Sequence, residues 1–237
     1  MFEAFPLRAP FFEIGPKAYL VGQDVVDLAK AADEASERYN VDIIFTAPFT
    51  DLVPVAQATR RIHLFAPHMD PIRPGRGVAD ILPEAIKAAG AVGVMLNHCE
   101  KPVTLATLKQ SIDRADEIGL ATIVCADSIA EARAIACLRP NIIVAEPSDL
   151  IGTGQVSDMG YVTESISRIK AIDPTILVLQ AAGISSGKDV YRVIRAGAEA
   201  TGSSSGIAKA PDRAAMVDEM IRAVRQAWDD RMAEQNG

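Results

Sequence analysis

Short apolar runs alternate along the chain with longer stretches in which apolar side chains recur every three or four positions. FFEI (11–14), DIIF (42–45), IHLF (62–65), VGVML (92–96), ATIVC (121–125), NIIVA (141–145) and ILVLQ (176–180) have the length and content of buried strands. A weaker run, EATGSS (199–204), supplies an eighth. Between them the period changes to that of a helix, around 23–39, 51–58, 81–89, 104–118, 128–137, 160–172 and 187–196, with a last helix from about 212 to 232. The stretch 104–118 has the clearest period. Leu105, Leu108, Ile112, Ala115 and Ile118 share one stripe, Thr104 stands where an N-cap belongs, and Gly119 marks the stop. Val25, Leu28, Ala29 and Ala32 form the stripe of the first helix, and Val162, Ile166, Ile169 and Ile172 that of the sixth.

Eight strands and eight helices in strict alternation, with no linker or low-complexity tract, predict an α/β protein with one domain over 1–237. Open doubly wound sheets also alternate strand and helix, so order alone does not settle closure. Eight units in 237 residues match a closed (β/α)8 barrel, the TIM barrel. Aromatics supply 5% of the residues against 49% hydrophobic in all, so the core is aliphatic.

The net charge of −7 argues against broad binding to nucleic acid or to an acidic membrane surface. Cys99, Cys125 and Cys137 form no CxxC pair and no metal-type spacing, which fits reduced thiols in a cytoplasmic setting. The opening residues lack the pattern of a signal peptide, and no apolar run approaches the ~20 residues of a membrane span. His68 and Asp70 are too sparse for a metal site, so neither a metal nor an organic cofactor is expected.

In a barrel of this kind the site lies at the C-terminal strand ends. Gly15-Pro16-Lys17 follows the first strand, Asn97-His98-Cys99-Glu100 the fourth, and Glu146 the sixth. A Gly- and Ser-containing segment runs on through Ile151 and Gly154. Gly183 follows the seventh strand, and Ser204 and Ser205 end the eighth. Taken singly, Lys17 reads as a surface lysine, His98 as a structural histidine and Glu146 as a solvated carboxylate. Together they supply the ammonium, imidazole and carboxylate that move a proton between carbons beside a carbonyl. The small-residue loops let backbone N–H groups approach a phosphate. His63, inside a strand, reads as structural; His68 follows the third strand and is open to a site or interface role. Cys99, next to His98, is a thiol expected to point the opposite way along the strand end.

DPIRPG (70–75), ILPEAIKAAGA (81–91), LNHCEK (96–101), IGLATIVCAD (118–127), EPSDLIGTG (146–154) and AAGISSGKDV (181–190) resemble the triosephosphate isomerase family, in its shorter archaeal-type branch, over about 11–224. The resemblance implies Glu146 as the proton-shuttling base, His98 as the electrophile that polarises the carbonyl, and Lys17 as the charge that holds substrate. It places Gly15, Ile151, Gly154, Gly183, Ser204 and Ser205 around substrate and phosphate, and makes 147–154 a closing lid. This family is itself the usual worked case of a glutamate base beside a neutral histidine.

Three departures stand out. Gly15 replaces the family's usual Asn and Pro16 an aromatic; Pro67 replaces a Gln; and GRGVA (75–79) replaces a GSHTG-like loop that reaches a neighbouring subunit. The resemblance implies an aldose–ketose isomerase acting on dihydroxyacetone phosphate and glyceraldehyde 3-phosphate. The departures keep open a related sugar phosphate, such as an erythrulose phosphate, and a non-catalytic phosphate-binding barrel is the reading from another class. A homodimer or homotetramer is the implied assembly.

Overall fold

The computed structural model describes residues 1–2, 5–147, 150, 158–181 and 183–235. Its strands are β1 (Phe11–Ile14), β2 (Asp42–Thr46), β3 (His63–Ala66) and β4 (Gly93–Leu96), then β5 (Ala121–Ala126), β6 (Ile142–Ala145), β7 (Leu177–Gln180) and β8 (Ala200–Ser203). All pair in parallel and in chain order, and β8 returns to β1 with Phe11 opposite Ala200 and Ile14 opposite Ser203. That last pairing closes the barrel and excludes the open sheet.

The outer ring is α1 (Gln23–Tyr39), α2 (Leu52–Ala58), α3 (Pro83–Ala88), α4 (Leu105–Ile118), α5 (Ile129–Ala136), α6 (Met159–Lys170) and α7 (Gly187–Arg195). After β8 come a single turn, α8 (Ser205–Ala208), and the long α9 (Arg213–Gln235). Helix starts follow local chemistry: Thr104, Ser128 and Ser186 each accept a hydrogen bond from the backbone N–H three residues on. Gly119, at φ 71°, ends α4 in a conformation that L side chains resist.

Two stripes are narrower than their periods suggest. On α4, Leu108, Ile112 and Ala115 are buried but Leu105 at the first turn is 58% exposed. Helix α6 stops at Lys170, so Ile172 lies beyond it and is 40% exposed. The turn α8 was not expected from the sequence, where the same residues read as a strand end and loop.

The core has two shells. Phe11, Ile44, Phe65, Ile123, Ile142 and Leu179 fill the barrel interior. Their strand neighbours, such as Phe12, Ile43, Phe45 and Val124, pack outward against the helices. Burying one such side chain stabilises the fold by roughly 1.5–3 kcal/mol. The interior is full at the level of Gly93, where an added Cβ would stand 2.3 Å from the Phe65 ring.

At the N-terminal end of the barrel Phe5 packs edge-on against His63, with centroids 5.2 Å apart, and against Phe65. His63 is thus structural, as expected, and burial lowers its pKa. No helix among the described residues is long and apolar enough to cross a membrane.

Candidate active site

Because the strands are short, the last interior-facing residue on each stands at the C-terminal mouth. Glu13, Thr46, Met95, Cys125, Val144 and Leu179 occupy that layer and floor a cavity of about 760 Å³. The residues just beyond the strands rise around it. Gly15 and Lys17 from the β1 end, His98 from β4, Glu146 from β6, Gly183 from β7, and Ser204 and Ser205 from β8 all line this one space. The sequence-predicted site residues within the described chain therefore converge. Ile151 and Gly154, with most of the segment 147–154, lie outside the described residues.

Lys17 adopts φ 47°, a left-handed conformation that costs a non-glycine residue roughly 1 kcal/mol or more. Its ammonium is turned over the cavity and pairs with Glu100 at 3.1 Å. This pair is a rim contact, since the Glu100 side chain is largely exposed.

The imidazole of His98 is half-buried, and its setting fixes a tautomer. The backbone N–H of Glu100 donates to Nδ1 at 3.1 Å, so Nδ1 is an acceptor and the ring proton sits on Nε2. Burial lowers the His98 pKa, and Lys17 lowers it further, against the opposing pull of Glu100 and Asp127. The ring is a neutral N–H donor at pH 7. Asn97 holds it in place: at φ 57° this residue turns the chain, and its amide donates to the Cys125 carbonyl and to Glu131, both at 3.0 Å. Its oxygen accepts the Val103 N–H at 3.2 Å.

The backbone N–H of Glu146 donates to the Ala126 carbonyl at 3.0 Å, which continues the β5–β6 ladder by one step and carries the carboxylate to the mouth.

One expectation needs correction, and one residue left open between a site and an interface role lies outside the cavity. Cys99 does not point away from His98: the chain turns there, and its sulfur lies 3.7 Å from Nδ1. Burial raises the thiol pKa, so it is poorly suited to act as a nucleophile. His68 takes no part in the cavity; it is buried and faces Asp70 at 3.3 Å, while its neighbour Pro67 reaches the lining.

The sequence reading also passed over residues that matter here. Glu13 is 7% exposed, accepts a hydrogen bond from the Thr46 hydroxyl at 2.7 Å, and looks into the cavity. Burial pushes its carboxyl up to about 7 from 4.5; the Thr46 hydrogen bond and Lys17 oppose that rise and Glu146 adds to it. Its one sequence signal was a glutamate inside an otherwise apolar strand. Lys209, beyond α8, lies over the Tyr19 ring at 5.2 Å on the same rim. Lys17, Lys101 and Lys209 balance Glu13, Glu100 and Glu146 around the cavity. Among the described residues no cluster of His, Cys, Asp and Glu could hold a metal ion.

An ammonium, an imidazole and a carboxylate gather at the C-terminal mouth of a closed parallel barrel, and with the family match below the class is a (β/α)8 isomerase. The chain belongs to the triosephosphate isomerase family, which it matches over residues 14–220. It is 34% identical over 228 residues to the triosephosphate isomerase of Sulfurisphaera tokodaii, covering 94% of this chain and 99% of that protein. Against the Methanosarcina barkeri enzyme the identity is 34% over 220 residues, covering 91% and 99% of the two chains. Against that of Methanocaldococcus jannaschii it is 35% over 207 residues, covering 86% and 94%.

Proposed function

We propose that this protein interconverts dihydroxyacetone phosphate and glyceraldehyde 3-phosphate through an enediolate. The observation that carries the reading is the convergence of Glu146, His98 and Lys17, from three different strands, on one cavity whose wall includes Gly183, Ser204 and Ser205.

Glu146 takes the proton from the carbon beside the carbonyl and returns it to the neighbouring carbon. The neutral Nε2–H of His98 hydrogen-bonds the carbonyl oxygen and stabilises the negative charge that develops there. A neutral ring suits this role, because it can give a proton to one oxygen and recover one from the other. Lys17 offsets the charge of the phosphorylated enediolate, and Gly183 and the two serines supply room and donors for the phosphate. The family's named members act on this triose phosphate. The same reading carries a cytoplasmic location and assembly into a homodimer or homotetramer.

Glu146→Gln tests the base directly. It should lower kcat by about 10³-fold or more while a phosphoglycolate-like intermediate mimic still binds, because shape and hydrogen bonding survive. Turnover close to wild type would refute the assignment, and unchanged ligand binding with no wild-type turnover on any sugar phosphate would favour a phosphate-binding barrel instead.

A further inference from the structure

Glu13 is a carboxyl on the cavity floor to which the proposed triose reaction gives no task. It is nearly buried, and among the described residues it forms no ion pair; the hydrogen bond that Oε1 accepts from the Thr46 hydroxyl leaves Oε2 with acceptor capacity.

Two glycines make the space it fills. A Cβ added to Gly15 would stand 3.0 Å from Glu13 Oε1 and 3.5 Å from Ser204 Oγ. A Cβ added to Gly202, paired with Glu13 across the β1–β8 ladder, would stand 3.2 Å from Oε2 and 2.8 Å from the Glu13 carbonyl oxygen. The carboxyl therefore lies in the corner between β1 and β8, where a larger residue at 15 would otherwise project, and close to the serine wall.

A triose phosphate presents a carbonyl, one hydroxyl at the reacting carbons, and the phosphate. His98, Glu146, Lys17 and the serine wall account for these. Glu13 adds a further acceptor, and the group that a carboxylate accepts from most readily inside a sugar site is another hydroxyl. A cavity of about 760 Å³ does not limit the ligand to three carbons.

We infer that Glu13 is a specificity-determining residue, whose Oε2 accepts a hydrogen bond from a hydroxyl that a triose phosphate lacks, and that the site therefore also isomerises a four-carbon sugar phosphate. This rests on the isomerase reading above. The step is the same and balances internally: one C–H bond breaks beside the carbonyl and one forms at the former carbonyl carbon, while the hydroxyl proton passes between the two oxygens.

The test is steady-state kinetics of wild type, Glu13→Gln and Glu13→Leu on glyceraldehyde 3-phosphate and on four-carbon ketose phosphates, with circular dichroism to check that each variant is folded. Wild type should turn over a four-carbon substrate. At about pH 8, where the carboxyl is ionised, the ratio of kcat/KM for the four-carbon over the three-carbon substrate should fall by about 10- to 100-fold in Glu13→Gln, the range expected for weakening one hydrogen bond to a charged acceptor, and further in Glu13→Leu. Activity on the triose alone overturns the inference and leaves the isomerase reading standing. A ratio that stays constant while both activities fall overturns it too, and assigns Glu13 to the shared chemistry. Absence of wild-type activity on every sugar phosphate sinks the isomerase reading itself.

Discussion

Replacing Glu13 with glutamine isolates what an ionised carboxyl costs on the floor of this barrel. Burial is the largest influence on the group and brings its pKa to about 7, against 4.5 when solvated. The folded protein therefore holds this proton more tightly than the unfolded chain does. Glu13 favours the fold fully below pH 4.5, and that advantage fades as pH rises through 7. At 1.36 kcal/mol per tenfold change in proton affinity, the whole gap is about 3 kcal/mol, and the part lost between about pH 5.5 and pH 8 is about 2 kcal/mol. Glutamine keeps an oxygen for the Thr46 hydroxyl and has nothing to ionise. Denaturant unfolding of both proteins at these two pH values measures the effect, because every other titrating group is common to both and cancels in the difference. The stability of Glu13→Gln relative to wild type should rise by about 2 kcal/mol on going from the lower pH to the higher. If the two unfolding free energies instead move in parallel, Glu13 is not held in a desolvated corner, and the reasoning about its environment is wrong.

His98 gives a spectroscopic test. Burial and Lys17 lower its pKa, so ¹⁵N NMR of histidine-labelled protein at pH 7 should show a neutral ring protonated at Nε2, persisting as the pH is lowered through 6.5; an imidazolium signal at pH 7 would contradict the structure. Gly93→Ala tests the packing inside the barrel: the new Cβ falls 2.3 Å from Phe65 and 2.8 Å from the Ala121 carbonyl, and the overpacking should destabilise the protein by about 1–3 kcal/mol in chemical denaturation, whereas a change within ~0.5 kcal/mol would mean that the interior has slack there.

By itself the sequence determined the order of elements, and with it the location of the chemistry. Each strand and each helix is a local object with its own period, cap or stop, so FFEI, the capped helix after Thr104, and the polar residues after β4 could be read where they stand. Since barrel sites lie at C-terminal strand ends, reading the strands also located Lys17, His98, Glu146, Gly183, Ser204 and Ser205. Tertiary structure alone decided three things. Closure depends on β8 finding β1, a pairing between opposite ends of the chain that no local pattern encodes. Which strand residues face the interior was hidden as well, because both faces are covered and the alternation that marks a half-exposed strand is erased. That is why Glu13 looked like a blemish in an apolar run and proved to be part of the cavity floor. Finally, the turn through Asn97, set by hydrogen bonds to a neighbouring strand and helix, overrode the simple alternation that had pointed Cys99 away from His98. In each case the deciding contact joins residues far apart in sequence, and only the folded chain brings them together.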